Sequence, residues 1–80
     1  NYTNTFNPET NIRYKLPKAG FVTIKLYDIT GREVATLVNE RHDAGYYNYR
    51  FVGDGYSSGV YFYSIQSGDY RDVKRMMLIK

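Results

Sequence analysis

Between Ile12 and Leu16 apolar and charged residues alternate without a fault: Ile12, Tyr14 and Leu16 fall on one side, Arg13 and Lys15 on the other. A period of two sends successive side chains to opposite faces of a pleated strand, and no helix can gather such a set onto one side. The pattern recurs at Phe21–Tyr27, where Val22, Ile24 and Leu26 oppose Thr23 and Lys25. It recurs again at Tyr46–Val52, where Tyr47, Tyr49 and Phe51 oppose Asn48 and Arg50. The chain is thereby committed to half-buried strands.

The punctuation agrees. Pro17 stops the first run and Lys18-Ala19-Gly20 turns the chain. Asp28-Ile29-Thr30-Gly31 places Asp first and Gly last, as a type I turn favours. The segment from Arg32 to Val38 alternates imperfectly through Val34, Ala35, Leu37 and Val38, so a bulge or a short helical turn fits it, with Val34 and Leu37 as core contacts. Asn39–Gly45 is expected to be a charged loop, and Gly53–Gly59 a glycine-rich crossover long enough to join two sheets. About seven short strands, with turn signals roughly every 8–12 residues, predict an immunoglobulin-like antiparallel β-sandwich; a small barrel is the alternative.

The closing stretch bears most on function. Gly59-Val60-Tyr61-Phe62-Tyr63-Ser64-Ile65-Gln66 is rich in the β-branched and aromatic residues that suit a packed sheet. Ser67-Gly68-Asp69 supplies a tight reversal, and Arg71 onward forms a second limb that ends Met76-Met77-Leu78-Ile79-Lys80. Termini are usually polar and frayed. This one is therefore expected to be packed into a sheet, held by a partner, or both.

Composition narrows the classes. Eighty residues make one small domain with a modest core, and no cysteine is present to staple it or to bind a metal. Aromatics are 18% of the chain and ten of them are Tyr, which suits shallow, half-wet cores. The net charge of +3 comes from scattered Lys and Arg rather than a block, the pattern of solvated strand faces and not of a nucleic-acid binder. No run approaches the roughly 18 apolar residues of a membrane-spanning helix, and no signal peptide is visible. An export signal, if one exists, is expected upstream, and the start at Asn1 fits a piece of a longer chain.

Catalytic chemistry finds little support. The single histidine, His42, has Glu40 and Asp43 beside it, but no nucleophile is placed by a motif and a solvated loop is the expectation. Asp54 between Gly53 and Gly55 lacks the spaced oxygens of a calcium loop. Those glycines are not followed by the Lys-Ser/Thr pair of a phosphate loop. No catalytic residue, metal or cofactor is expected. Tyr46, Tyr56, Tyr61 and Tyr70 raise carbohydrate binding as an alternative function, which requires a coplanar row of exposed rings; a passive spacer or interaction domain is a third class.

Four segments carry a family resemblance. Asn4-Thr5-Phe6-Asn7-Pro8-Glu9-Thr10-Asn11-Ile12 is similar to the opening of the type IX secretion system C-terminal sorting domain, and Tyr27-Asp28-Ile29-Thr30-Gly31-Arg32-Glu33-Val34 resembles its Tyr-Asp-x-x-Gly-Arg-Glu-Val turn. Gly59-Val60-Tyr61-Phe62-Tyr63 resembles its Ser-Gly-Val-Tyr-Phe-Tyr strand, and Lys74-Arg75-Met76-Met77-Leu78-Ile79-Lys80 its basic-then-apolar ending. The likeness runs in order over essentially the whole chain. Thr3 and Thr5 stand where the family often has prolines, which should loosen the lead-in.

The turn-favouring Asn4, Asn7, Pro8, Thr10 and Asn11 predict an irregular lead-in over residues 1–11, with Phe6 tucked onto the first strand, ahead of the immunoglobulin-like domain over residues 12–80, which the resemblance marks as a sorting domain. It implies a non-catalytic signal on a larger exported protein of a two-membrane bacterium, sent through the periplasm to the cell surface. The implied partners are the type IX machinery, a sortase-like processing protease and an upstream cargo domain, with a weak homodimer through open sheet edges. Recognition is expected at Lys74, Arg75, Met76, Met77, Leu78, Ile79 and Lys80, by strand pairing along the last strand. Asp28, Gly31, Gly59 and Gly68 are expected to shape the turns.

Overall fold

Six strands follow one another in the computed structural model, which describes residues 9–79. They are β1 (Glu9–Leu16), β2 (Gly20–Tyr27), β3 (Glu33–His42), β4 (Gly45–Val52), β5 (Gly59–Ser67) and β6 (Tyr70–Leu78). No helix occurs among the described residues. The positions expected of Phe6, of the lead-in near Thr3 and Thr5, and of Lys80 lie outside them.

The strands form two sheets, β1-β4 and β3-β2-β5-β6, and every pairing is antiparallel. The chain changes sheet after β1, after β3 and after β4, the last through the Gly53–Ser58 crossover. Each alternating run buries the face its sequence assigns. Ile12, Tyr14, Leu16 and Phe51 point inward from the smaller sheet, and Val22, Ile24, Leu26, Val38, Tyr61, Tyr63, Ile65 and Leu78 from the larger. Two inner faces meeting in one apolar cluster make the sandwich.

Two boundaries differ from the sequence expectation. β1 begins at Glu9, ahead of Ile12, because Glu9, Thr10 and Asn11 pair with Val52, Phe51 and Arg50. The charged loop expected over Asn39–Gly45 is strand as far as His42, since β3 holds register with β2 out to Gly20 opposite His42. Between Thr36 and Val38, and again between Glu33 and Ala35, β3 carries one residue more than β2. These are bulges at Leu37 and Val34, which is why alternation fails there, and both side chains still pack against the core.

Candidate functional site

β6 lies at the edge of the larger sheet and is paired with β5 along its whole length, from Tyr70 opposite Ser67 to Leu78 opposite Gly59. The reversal between them uses Gly68 at φ +59 and Asp69 at negative φ, the pattern of a type II′ hairpin turn. Strand alternation then divides the expected recognition residues into two sets. Lys74, Met76 and Leu78 project to the core side, opposite Tyr63, Tyr61 and Gly59, while Arg75 and Met77 project outward, opposite Phe62 and Val60.

Leu78 anchors the strand. It is 3% exposed, and a Cβ placed on Gly53 would lie 2.5 Å from its Cδ1. Gly53 has no positive φ, so space alone explains the glycine there. Met76 packs partly buried against the same core. Met77 and Ile79, in contrast, are 55% and 68% exposed. The apolar ending thus alternates between holding the strand down and presenting side chains to solvent.

The edge is guarded unevenly. Asp72 and Lys74 project toward the core side of the strand, and their charged groups lie 4.0 Å apart. Inward-pointing charges on an edge strand oppose the addition of another strand. From Met76 to Ile79 no charge interrupts the chain. Unguarded edge and exposed apolar side chains therefore coincide over that short stretch.

The turn after β2 is held by its own residues. The Gly31 N–H donates to the Asp28 carbonyl at 2.9 Å, and Gly31 sits at φ +88. Asp28 Oδ1 accepts from the backbone N–H groups of Thr30 and Arg32 at 3.0 and 3.1 Å, and also from the Thr30 hydroxyl. The Thr30 hydroxyl foremost, helped by these N–H groups and the Arg32 side chain, holds the Asp28 carboxyl below the usual range. Gly59 opens β5 at φ +151.

The remaining candidates disperse. Tyr56 packs on Phe51 and Tyr61, and the buried Tyr61 donates its hydroxyl to the Ser57 carbonyl at 2.6 Å. Tyr46 is 81% exposed on the smaller sheet, but Lys15 Nζ sits 5.5 Å from its ring centre; Tyr70 is on the larger sheet. The four tyrosines form no coplanar row. His42 is not in a solvated loop: its ring lies 4.3 Å from that of Tyr47, and its Nε2 is 3.3 Å from the Tyr14 hydroxyl. Burial, then the Glu40 charge, pushes the Tyr14 hydroxyl pKa up. Asp54 is exposed in a turn closed by the Tyr56 N–H on the Gly53 carbonyl. Among the described residues no three His, Cys, Asp or Glu side chains converge as a metal site.

The sequence places Gly53 in the crossover and Val60 and Phe62 in a strand, but assigns none of the three a part in holding or flanking the last strand. Gly53 had one available signal, a glycine directly after a strand of inward aromatic residues, where a close backbone approach is the usual reason. Val60 and Phe62 matter only because β6 brings Met77 and Arg75 beside them, which no local pattern states.

The described residues thus form a small antiparallel β-sandwich whose last strand is fully paired with its neighbour. The family model of the secretion system C-terminal sorting domain matches residues 2–80. The chain belongs to that family. No curated protein and no solved structure matches it. Membership makes the domain a C-terminal sorting signal for type IX secretion, directed across the outer membrane to the cell surface or extracellular space. Domains of this kind engage the type IX machinery as part of a larger cargo chain and are not normally catalytic.

Proposed function

We propose that the sandwich from Glu9 onward acts as a non-catalytic handle on an exported protein, that the residues ahead of it link it to the cargo, and that any catalysis resides in that upstream cargo. The machinery reads the stretch Lys74–Lys80, and a sortase-like protease then removes the handle or exchanges it for a surface anchor. Within that stretch Leu78 and Met76 hold the strand in place, while Arg75, Met77 and Ile79 are the groups offered to the receptor. The observation that carries this reading is the alternation itself: a buried Leu78 between two exposed apolar neighbours, on a length of edge without charges.

A secretion assay tests it. The 80-residue chain is placed behind a signal peptide and a reporter in a host with type IX machinery. Removing Met76 to Lys80 should stall the reporter in the periplasm. That deletion also empties the Leu78 site, so the decisive companion is M77S/I79S, which keeps the anchor and removes only exposed groups. Export of M77S/I79S at the level of the unaltered chain would remove Met77 and Ile79 from the recognition set.

A further inference from the structure

The outward side of β6 carries Arg71, Val73, Arg75 and Met77 in succession, alternating cation and apolar group along one face. Behind them on β5 stand Phe62 and Val60, paired with Arg75 and Met77. Val73 and Met77 are both more than half exposed. The face continues into a groove across β2 and β5, bordered by Lys25 and Arg71 with Ser64 and Gln66 between them.

The charge on this face is uncompensated. Asp72 projects to the other side of the strand beside Lys74, and Glu33 is taken by Lys25 at 3.4 Å. Neither Arg71 nor Arg75 forms an ion pair among the described residues. Exposed guanidinium groups without an ion-pair partner suit bidentate capture of carboxylates. Four residues apart on the strand, they are separated by about 13–14 Å, which is also the spacing of side chains four residues apart on one face of any extended partner.

We propose that the outer face of β5 and β6 is a docking surface for a protein partner that presents, on one face of an extended segment, carboxylates four residues apart with an apolar side chain midway between them. Its identification with a component of the secretion machinery rests on the sorting reading above. The partner lies across the face instead of extending the sheet, because Asp72 and Lys74 guard the edge alongside these arginines. An anionic bilayer fits less well: two arginines are few for surface attachment, where each cation contributes only weakly. The opposite face of the sandwich also carries cations, Arg13 and Lys15, but Lys15 covers the exposed ring of Tyr46 and no alternating apolar row accompanies them.

The test uses the reporter fusion with R71E/R75E and, as the control, R13E/K15E, both checked for folding by circular dichroism and thermal melting of the purified chain. R71E/R75E is expected to lower surface reporter roughly tenfold and to fill the periplasm, while R13E/K15E exports normally. R71Q/R75Q, which removes charge without adding repulsion, should fall between them. Normal export of R71E/R75E beside a stalled M77S/I79S overturns the docking face and leaves the sorting reading intact. Failure of the unaltered fusion to leave the periplasm overturns both. Sedimentation with phosphatidylglycerol vesicles is a separate arm: binding by the unaltered chain that R71E/R75E abolishes assigns the face to a bilayer and overturns a protein partner.

Discussion

The Asp28–Arg32 turn and the end of β6 both fix a hairpin of the larger sheet, and they do so by opposite means. Asp28 holds its turn with partners no more than four residues away, through hydrogen bonds at the surface. Leu78 holds the last strand through a contact with Gly53, on the far side of a crossover and a hairpin. A local device shapes one loop and leaves the core untouched, whereas a long-range one couples a chain end to the point where the chain changes sheets. The second kind should dominate both stability and the presentation of the proposed recognition stretch.

The strongest way to break that contrast is to empty the anchor. Leu78→Ala should cost about 2–5 kcal/mol, as buried Leu truncations do, which is a large share of a small domain's stability. Gly53→Ala should cost about 1–3 kcal/mol by pressing a methyl into Leu78. Combined, the two should cost less than their sum, because Leu78→Ala vacates the space the new methyl needs. Urea melts of the three variants check this. Strict additivity would show that Gly53 and Leu78 do not form one unit.

An intermediate effect is expected at the local device, with a signature in pH. The Asp28 carboxyl has a lower pKa folded than unfolded, chiefly through the Thr30 hydroxyl. Such a group stabilises the fold above the ordinary carboxylate range, and its contribution is lost as pH falls through the lower folded value. Asp28→Asn should therefore lower the melting temperature at neutral pH by less than Leu78→Ala does. The deficit should shrink as the solution is acidified below roughly pH 4. A deficit independent of pH would assign the effect to side-chain shape instead of charge.

The same contrast explains what could be read from the residues alone. Strand faces were legible because burial and alternation have the same period: Ile12, Tyr14 and Leu16, or Val22, Ile24 and Leu26, needed no partner to declare their side. The Asp28–Gly31 turn was legible because its donors and acceptors are neighbours in sequence. His42 was not, because its place was decided by the register of β3 against β2 and by rings on β1 and β4. The end of β6 was half legible. An apolar ending pointed to a packed terminus, but its division into buried Leu78 and exposed Met77 and Ile79 required knowing that Gly53 approaches from another loop. A docking face is less legible still, since the outward neighbours of Arg75 and Met77 belong to a different strand.

The smallest effect should come from Arg50, whose guanidinium joins Glu9 across the smaller sheet with Nε 2.8 Å from Oε1. This pair spans β1 and β4 and is long-range in sequence, yet it lies in solvent, where ion pairs contribute little. The Arg50 hydrogen bond lowers the Glu9 pKa and therefore acts in the same acid-sensitive direction as Asp28. Arg50→Gln should barely change the melting temperature at neutral pH and should leave export unaltered. Added salt should erase what difference remains. A loss comparable to that of Leu78→Ala would show that sequence separation alone, without burial, makes a contact dominant, and the contrast between the two hairpin devices would then need another cause.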